Sequence, residues 1–128
     1  MRIILDTHVF LWFIEGNSKL SQTAQRIVED TENDRLISYA SLWEIAIKTS
    51  IDKLPLHEPF ETLIPSELHR LWIFPFDFSL EHLTRIITLP FHHNDPFDRM
   101  LIAQAMVEGV PILSVDKVFD AYEVQRLW

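Results

Sequence analysis

The sequence contains no cysteine and only two glycines, Gly16 and Gly109. Without cysteine there is no disulfide, no thiolate metal site, no iron–sulfur cluster and no thiol nucleophile. Two isolated glycines exclude the repeated-glycine loops that cradle nucleotide phosphates. Long apolar runs are missing too. The longest, residues 9–14, is far short of a membrane span, and Asp6 interrupts the N-terminus too early for a secretory signal. These absences agree with a cytoplasmic protein. Basic residues are scarce: 11 Lys and Arg face 19 Asp and Glu, a formal charge of −8. That balance opposes simple electrostatic binding of nucleic acid, but it is no obstacle to binding a metal cation.

What is present is a globular composition. With 128 residues and 48% apolar content, the chain suits one domain, residues 1–128, with a core of its own. Arg2–Leu5 reads as a strand buried on both faces, because its apolar run does not alternate. Residues 8–15 predict a helix that is apolar all round, stopped by Gly16, and such a helix is either buried or at a subunit interface. Ser21 is the expected cap of the next helix, with Ala24, Ile27 and Val28 as its inner stripe. Residues 35–39 predict a second strand, followed by a helix opened by Ser41 and running to about residue 51. Pro55, Pro59 and Pro65 break up the next stretch into short helices between residues 60 and 71. Residues 72–76 predict a third strand, and Pro75 within it points to a sheet edge. Ser79 caps a helix over residues 80–88. Asp95 as cap and Pro96 at the first helical position open the strongest helix signal in the chain, which Gly109 ends. Residues 111–115 and 124–128 predict two more strands around a helical turn near Phe119. Alternating strands and helices predict an α/β fold with a parallel sheet and helices on both faces.

In such a sheet, ligands bind beyond the carboxyl ends of the strands, where strand order reverses. Asp6 and Asp116 sit at two predicted strand ends. Glu44 and Asp98 fall in the first turns of two predicted helices on the same edge. If the first and fourth strands are neighbours, the four carboxylates converge. Convergent carboxylates repel unless a cation joins them, and a hard divalent ion such as Mg²⁺ or Mn²⁺ suits oxygen ligands. The chemistry that follows is metal-assisted phosphodiester hydrolysis. Each acid also has a plainer role. Ser41 and Glu44 have capping-box spacing, Asp98 suits the helix dipole, and Asp116 suits a turn cap. Asp6 is the hardest to explain that way, because an acid after Ile3-Ile4-Leu5 is costly to bury. His92 and His93 are adjacent, which is poor chelating geometry, so surface or substrate-side roles are expected for them. His57, His69 and His82 read as surface positions.

Several blocks resemble a known family: Leu5-Asp6-Thr7; residues 41–48 around Glu44; Leu89-Pro90; residues 92–99, which hold Asp95-Pro96-Phe97-Asp98-Arg99; residues 102–105; and Leu113-Ser114-Val115-Asp116. In that order they resemble PIN-domain ribonucleases, specifically the toxin subunits of VapBC-type toxin–antitoxin pairs. The resemblance implies a three-layer α/β/α fold around a five-stranded parallel sheet ordered 3-2-1-4-5. It implies that Asp6, Glu44, Asp98 and Asp116 hold Mg²⁺ or Mn²⁺ and activate water for RNA cleavage. Ser114, two residues before the last acid, is expected to orient Asp116, and Asp95 to act mainly as a helix cap. Lys48 and Arg99 are candidate contacts to RNA phosphates. An antitoxin partner is implied as well. A homodimer and a groove for the antitoxin's hydrophobic segment are expected from the apolar helix at residues 8–15 and from Leu42-Trp43. The competing readings are a non-catalytic PIN-fold module that binds RNA or protein, and a phospho-acceptor signalling domain. For the latter, Lys117 is poorly placed.

Overall fold

The computed structural model describes residues 1–128. Five parallel strands form one sheet: β1 (Arg2–Leu5), β2 (Asp34–Ser38), β3 (Phe74–Phe76), β4 (Ile112–Leu113) and β5 (Arg126–Leu127). Their order is β3-β2-β1-β4-β5. Six helices surround the sheet: α1 (Thr7–Glu15), α2 (Gln22–Glu29), α3 (Tyr39–Ser50), α4 (Phe60–Leu71), α5 (Leu80–Thr88) and α6 (Pro96–Glu108). A 3₁₀ turn covers Lys117–Ala121. The expected three-layer α/β/α architecture is present, with its strand order.

The unbroken apolar run of β1 has a direct cause. Ile3 and Leu5 enter one core, with Val9 and Phe10 of α1, Val28 of α2, Ile45 of α3 and Ile64 of α4. Ile4 points to the opposite core, with Leu101 and Ile102 of α6 and Phe119 of the 3₁₀ turn. Side chains of a strand alternate between faces, so a central strand covered on both sides must be apolar at every position.

Several boundaries differ from the sequence reading. Ser38 ends β2 and at once caps α3, accepting a hydrogen bond from the Ala40 N–H at 3.0 Å. The helix therefore starts before Ser41, which lies buried inside it, and the Ser41–Glu44 capping box does not form. Glu44 sits in the second turn, free of any capping duty. Residues 60–71 form one helix rather than several, with Pro65 inside it. Buried Leu63 and Ile64, with Phe60, Leu68 and Leu71 packed on the core, hold that helix together across the missing N–H. Trp72, expected in the third strand, is the left-handed C-cap of α4 at φ 54°, so β3 is shorter. Pro75 does lie on an edge strand. β4 and β5 are each only two residues long. Gly16 and Gly109 both cap helices at φ 65°, a conformation that a side chain disfavours.

The apolar helix α1 is mostly core: Val9, Phe10 and Leu11 are buried and Trp12, Phe13 and Ile14 are packed against the same cluster. It is therefore not the spare apolar surface expected from its composition. His82, expected on the surface, is buried at 2% exposure. Its Nδ1 accepts from the Ser79 N–H at 2.9 Å, and its Nε2 lies 3.0 Å from Glu108 Oε1. The ring closes a capping box at the start of α5 and ties that helix to α6.

Candidate active site

Strand order reverses between β1 and β4, which pair through Ile4–Ile112 and Leu5–Leu113. That pairing puts Asp6 and Ser114, each one residue past its strand, side by side at the sheet's carboxyl edge. The Ser114 hydroxyl donates to Asp6 Oδ2 at 2.7 Å and accepts from the Asp116 N–H at 3.0 Å. A single buried hydroxyl thus links two acids that are far apart in sequence. Asp6 stands at the N-cap position of α1, but its side chain makes no capping bond. Burial pushes its carboxyl above the usual carboxylate range, the Ser114 bond and His8 oppose this, and the Glu44 charge reinforces it.

Glu44 is 4% exposed and held from both sides. The Thr7 hydroxyl donates to Oε1 at 2.8 Å, and Lys48 Nζ donates to Oε2 at 2.7 Å. The bond to Glu44 holds the Lys48 ammonium above its ordinary range. Asp98 occupies the first turn of α6. Its carboxyl is pushed up to about 8, first by burial and then by the charges of Asp6, Asp95, Glu44 and Asp116. The four predicted acids therefore share one electrostatic site. Asp116 caps the 3₁₀ turn through Oδ1, which accepts from the Val118 N–H at 2.9 Å, while Oδ2 faces inward. Capping and site-facing coexist on one carboxylate.

The other assigned residues divide. Asp95 is a helix cap, as expected: its Oδ1 accepts from the N–H groups of Phe97 at 2.8 Å and Asp98 at 3.1 Å. Arg99 is not a phosphate contact. It is 5% exposed, and its guanidinium donates to the carbonyls of Pro90, His93, Leu89 and Ile86, with the Phe91 ring stacked on it at 4.0 Å. All four Nη hydrogens are spent on main-chain carbonyls.

Two residues join the site that the sequence reading had left out of it. Thr7 is adjacent to Asp6 in the quoted motif, but nothing local showed that its hydroxyl would meet Glu44. His93, expected at the surface or toward substrate, instead lies with Nε2 2.8 Å from Asp98 Oδ2 and 3.3 Å from Asp116 Oδ2. His93, Asp98 and Asp116 each offer an atom within 4.8 Å of the others. Asp6 and Glu44 are not part of that trio, although their charges act on Asp98.

The donor set fits a hard divalent cation. Clustered carboxylates, one of them lifted to about 8 by burial and then by its neighbours' charges, are stabilised when a cation enters among them. The PIN domain family profile matches residues 3–125. The chain belongs to the PIN-domain family. A stretch of 56 residues of this PIN domain is 41% identical to Ribonuclease VapC16 of Mycobacterium tuberculosis, spanning 44% of this chain and 38% of that relative. The match thus covers well under half of the relative's length. The fold is also similar to solved structures. VapBC2 from Rickettsia felis, bound to a DNA fragment from its promoter, superposes with a TM-score of 0.72 at 16% identity, covering 99% of this PIN domain and 98% of that chain. DNA-bound VapBC from Salmonella typhimurium gives 0.73 at 16% identity, covering 99% and 97%. At such identities the likeness concerns the fold alone.

Proposed function

We propose that this PIN domain is a Mg²⁺- or Mn²⁺-dependent endoribonuclease and the toxin of a type II toxin–antitoxin pair, working in the cytoplasm. What supports this reading is that Asp6 and the Asp116 N–H meet on the Ser114 hydroxyl, Asp98 and Asp116 approach the same His93 nitrogen, and the charges of Asp6, Glu44 and Asp116 all act on Asp98. A divalent ion held by these acids would supply water activation and stabilisation of the leaving oxygen. The chain's own residues do the rest. Ser114 aims Asp6, and Thr7 and Lys48 aim Glu44. Lys48, with 40% of its side chain exposed, is the cation available at the rim for a phosphate oxygen. Its positive charge and the bound ion together offset the acidity that otherwise repels RNA, so RNA binding is expected to depend on the ion.

Two apolar surfaces support the partner readings. Between α3 and α4 lies a groove of about 810 Å³, lined by Leu42, Trp43, Ile64, Leu68, Trp72 and Phe74 among others. Trp43 meets Phe97 edge-on at 5.4 Å, next to Asp98, so the groove leads toward the acids. An antitoxin segment lying there would fill it with apolar side chains and bring a basic residue to the carboxylates. On α5, Leu80, Leu83 and Ile87 form an exposed stripe flanked by Glu81 and Arg85. Two copies of α5 packed antiparallel about a two-fold axis would place each Glu81 near the other's Arg85, which favours a homodimer through this face.

The direct test is RNA cleavage by the purified protein. Cleavage with Mg²⁺ or Mn²⁺, lost on chelation and lost in Asp6→Asn, is the expected result. Cleavage that survives both would sink the metal-carboxylate reading, and a wild-type protein that binds RNA but never cuts it would favour a binding module.

A further inference from the structure

His93 is held more firmly than a surface loop residue requires. Its N–H donates to the Tyr122 hydroxyl at 2.8 Å, and that hydroxyl donates in turn to the Pro90 carbonyl at 2.7 Å. Its carbonyl accepts from Arg99 Nη1 at 3.1 Å, and the same guanidinium holds the carbonyls of Pro90 at 2.9 Å and Leu89 at 3.2 Å. The ring lies against Phe119, with centroids 6.1 Å apart. A buried guanidinium spent on main-chain carbonyls, with no carboxylate partner, is a costly way to fix a loop. In the segment it fixes, His93 is the residue whose side chain reaches the acids.

The ring's orientation decides what it can do there. Nδ1 accepts from the Asp95 N–H at 3.2 Å. A neutral imidazole that accepts at Nδ1 carries its proton on Nε2. Nε2 is therefore a donor, not a metal ligand, in this orientation. It is enclosed by protein, 2.8 Å from Asp98 Oδ2 and 3.3 Å from Asp116 Oδ2, and neither oxygen lies in line for a full hydrogen bond. That one N–H lies between two carboxylates from two different elements, α6 and the 3₁₀ turn, within 3.3 Å of both.

We propose that His93 is a positioning residue that, through its Nε2–H, holds the Asp98 and Asp116 carboxylates in register with one another and so sets which oxygens face the divalent ion. This rests on the metal-carboxylate reading above. Groups that orient ligating carboxylates typically change metal affinity by about 10- to 100-fold when removed.

The test is calorimetric titration of the full chain with Mg²⁺ and, separately, Mn²⁺. His93→Phe keeps the ring and removes both nitrogens. It is expected to weaken both ions by about 10- to 100-fold and by similar factors. His93→Gln carries an amide N–H to roughly the place of Nε2 and is expected to restore most of the loss. His93→Asn reaches only as far as Nδ1 and is expected not to. If His93→Phe does not fold, the comparison of Gln with Asn decides, with Gln expected to bind at least tenfold more tightly. Unchanged affinity in His93→Phe, or equal affinity of Gln and Asn, overturns the proposal. Loss of Mn²⁺ with Mg²⁺ retained also overturns it, because a nitrogen ligand rather than a donor would then be missing. Wild-type protein that binds neither ion refutes the metal reading itself.

Discussion

Replacing Asp98 by Asn should stabilise the metal-free protein. In the folded chain the Asp98 carboxyl holds its proton up to about pH 8, whereas unfolded it ionises near 3.8. Between those values the folded state binds more protons, so stability contributed by this group is fully present below about pH 4 and is lost as pH rises through about 8. At about 1.4 kcal/mol per pH unit the gap sets a ceiling of about 6 kcal/mol. Salt screening and relaxation around a partly exposed site reduce this to roughly 2–3 kcal/mol. Asn has nearly the shape of the protonated acid and never ionises. In chelator at pH 8.5, Asp98→Asn should therefore melt on the order of 10 °C above wild type, and the gap should close by pH 4.5. Saturating Mg²⁺ should reverse the ranking, since only wild type gains the full binding energy of the ion. Differential scanning calorimetry across pH, with and without Mg²⁺, provides the readout. A wild-type melting temperature that stays flat from pH 4.5 to 8.5 in chelator would refute the reasoning. So would an Asn variant that melts lower than wild type at pH 8.5.

Ser114→Ala removes the hydroxyl that aims Asp6 and receives the Asp116 N–H; ion affinity measured by calorimetry should fall about tenfold, and Ser114→Thr should recover part of it. Arg99→Lys cannot span the four carbonyls that Arg99 bonds, so urea denaturation should show a loss of about 3 kcal/mol, and the salt dependence of RNA binding should keep its slope because no phosphate contact is lost. His82→Ala empties a buried ring site between α5 and α6 and frees the Ser79 N–H; a stability cost of about 2–3 kcal/mol is expected, with RNA cleavage per folded molecule unchanged.

The sequence by itself determined the architecture and pointed to the four acids proposed for the site. The unbroken apolar run of β1, the alternation of strands with helices, and the caps at Ser21, Ser79 and Asp95 are local signals, set by burial on two faces and by main-chain groups near in sequence. Asp6 stood out because an acid beside a buried strand is costly, and the resemblance to PIN-domain blocks carried the other three acids. Only the tertiary structure decided what those acids touch. Ser38 rather than Ser41 opens α3, because strand and helix meet with no loop between them, and that frees Glu44 for Thr7 and Lys48. Arg99 and Lys48 look equally exposed in the sequence, yet one is buried on carbonyls and the other sits at the rim. Adjacent His92 and His93 are alike as residues, but only His93 turns toward Asp98 and Asp116. The scarcity of basic residues takes its meaning from the same source. Its consequence depends on where the acids gather, and contacts between residues up to 108 positions apart arise only when β1 and β4 pair.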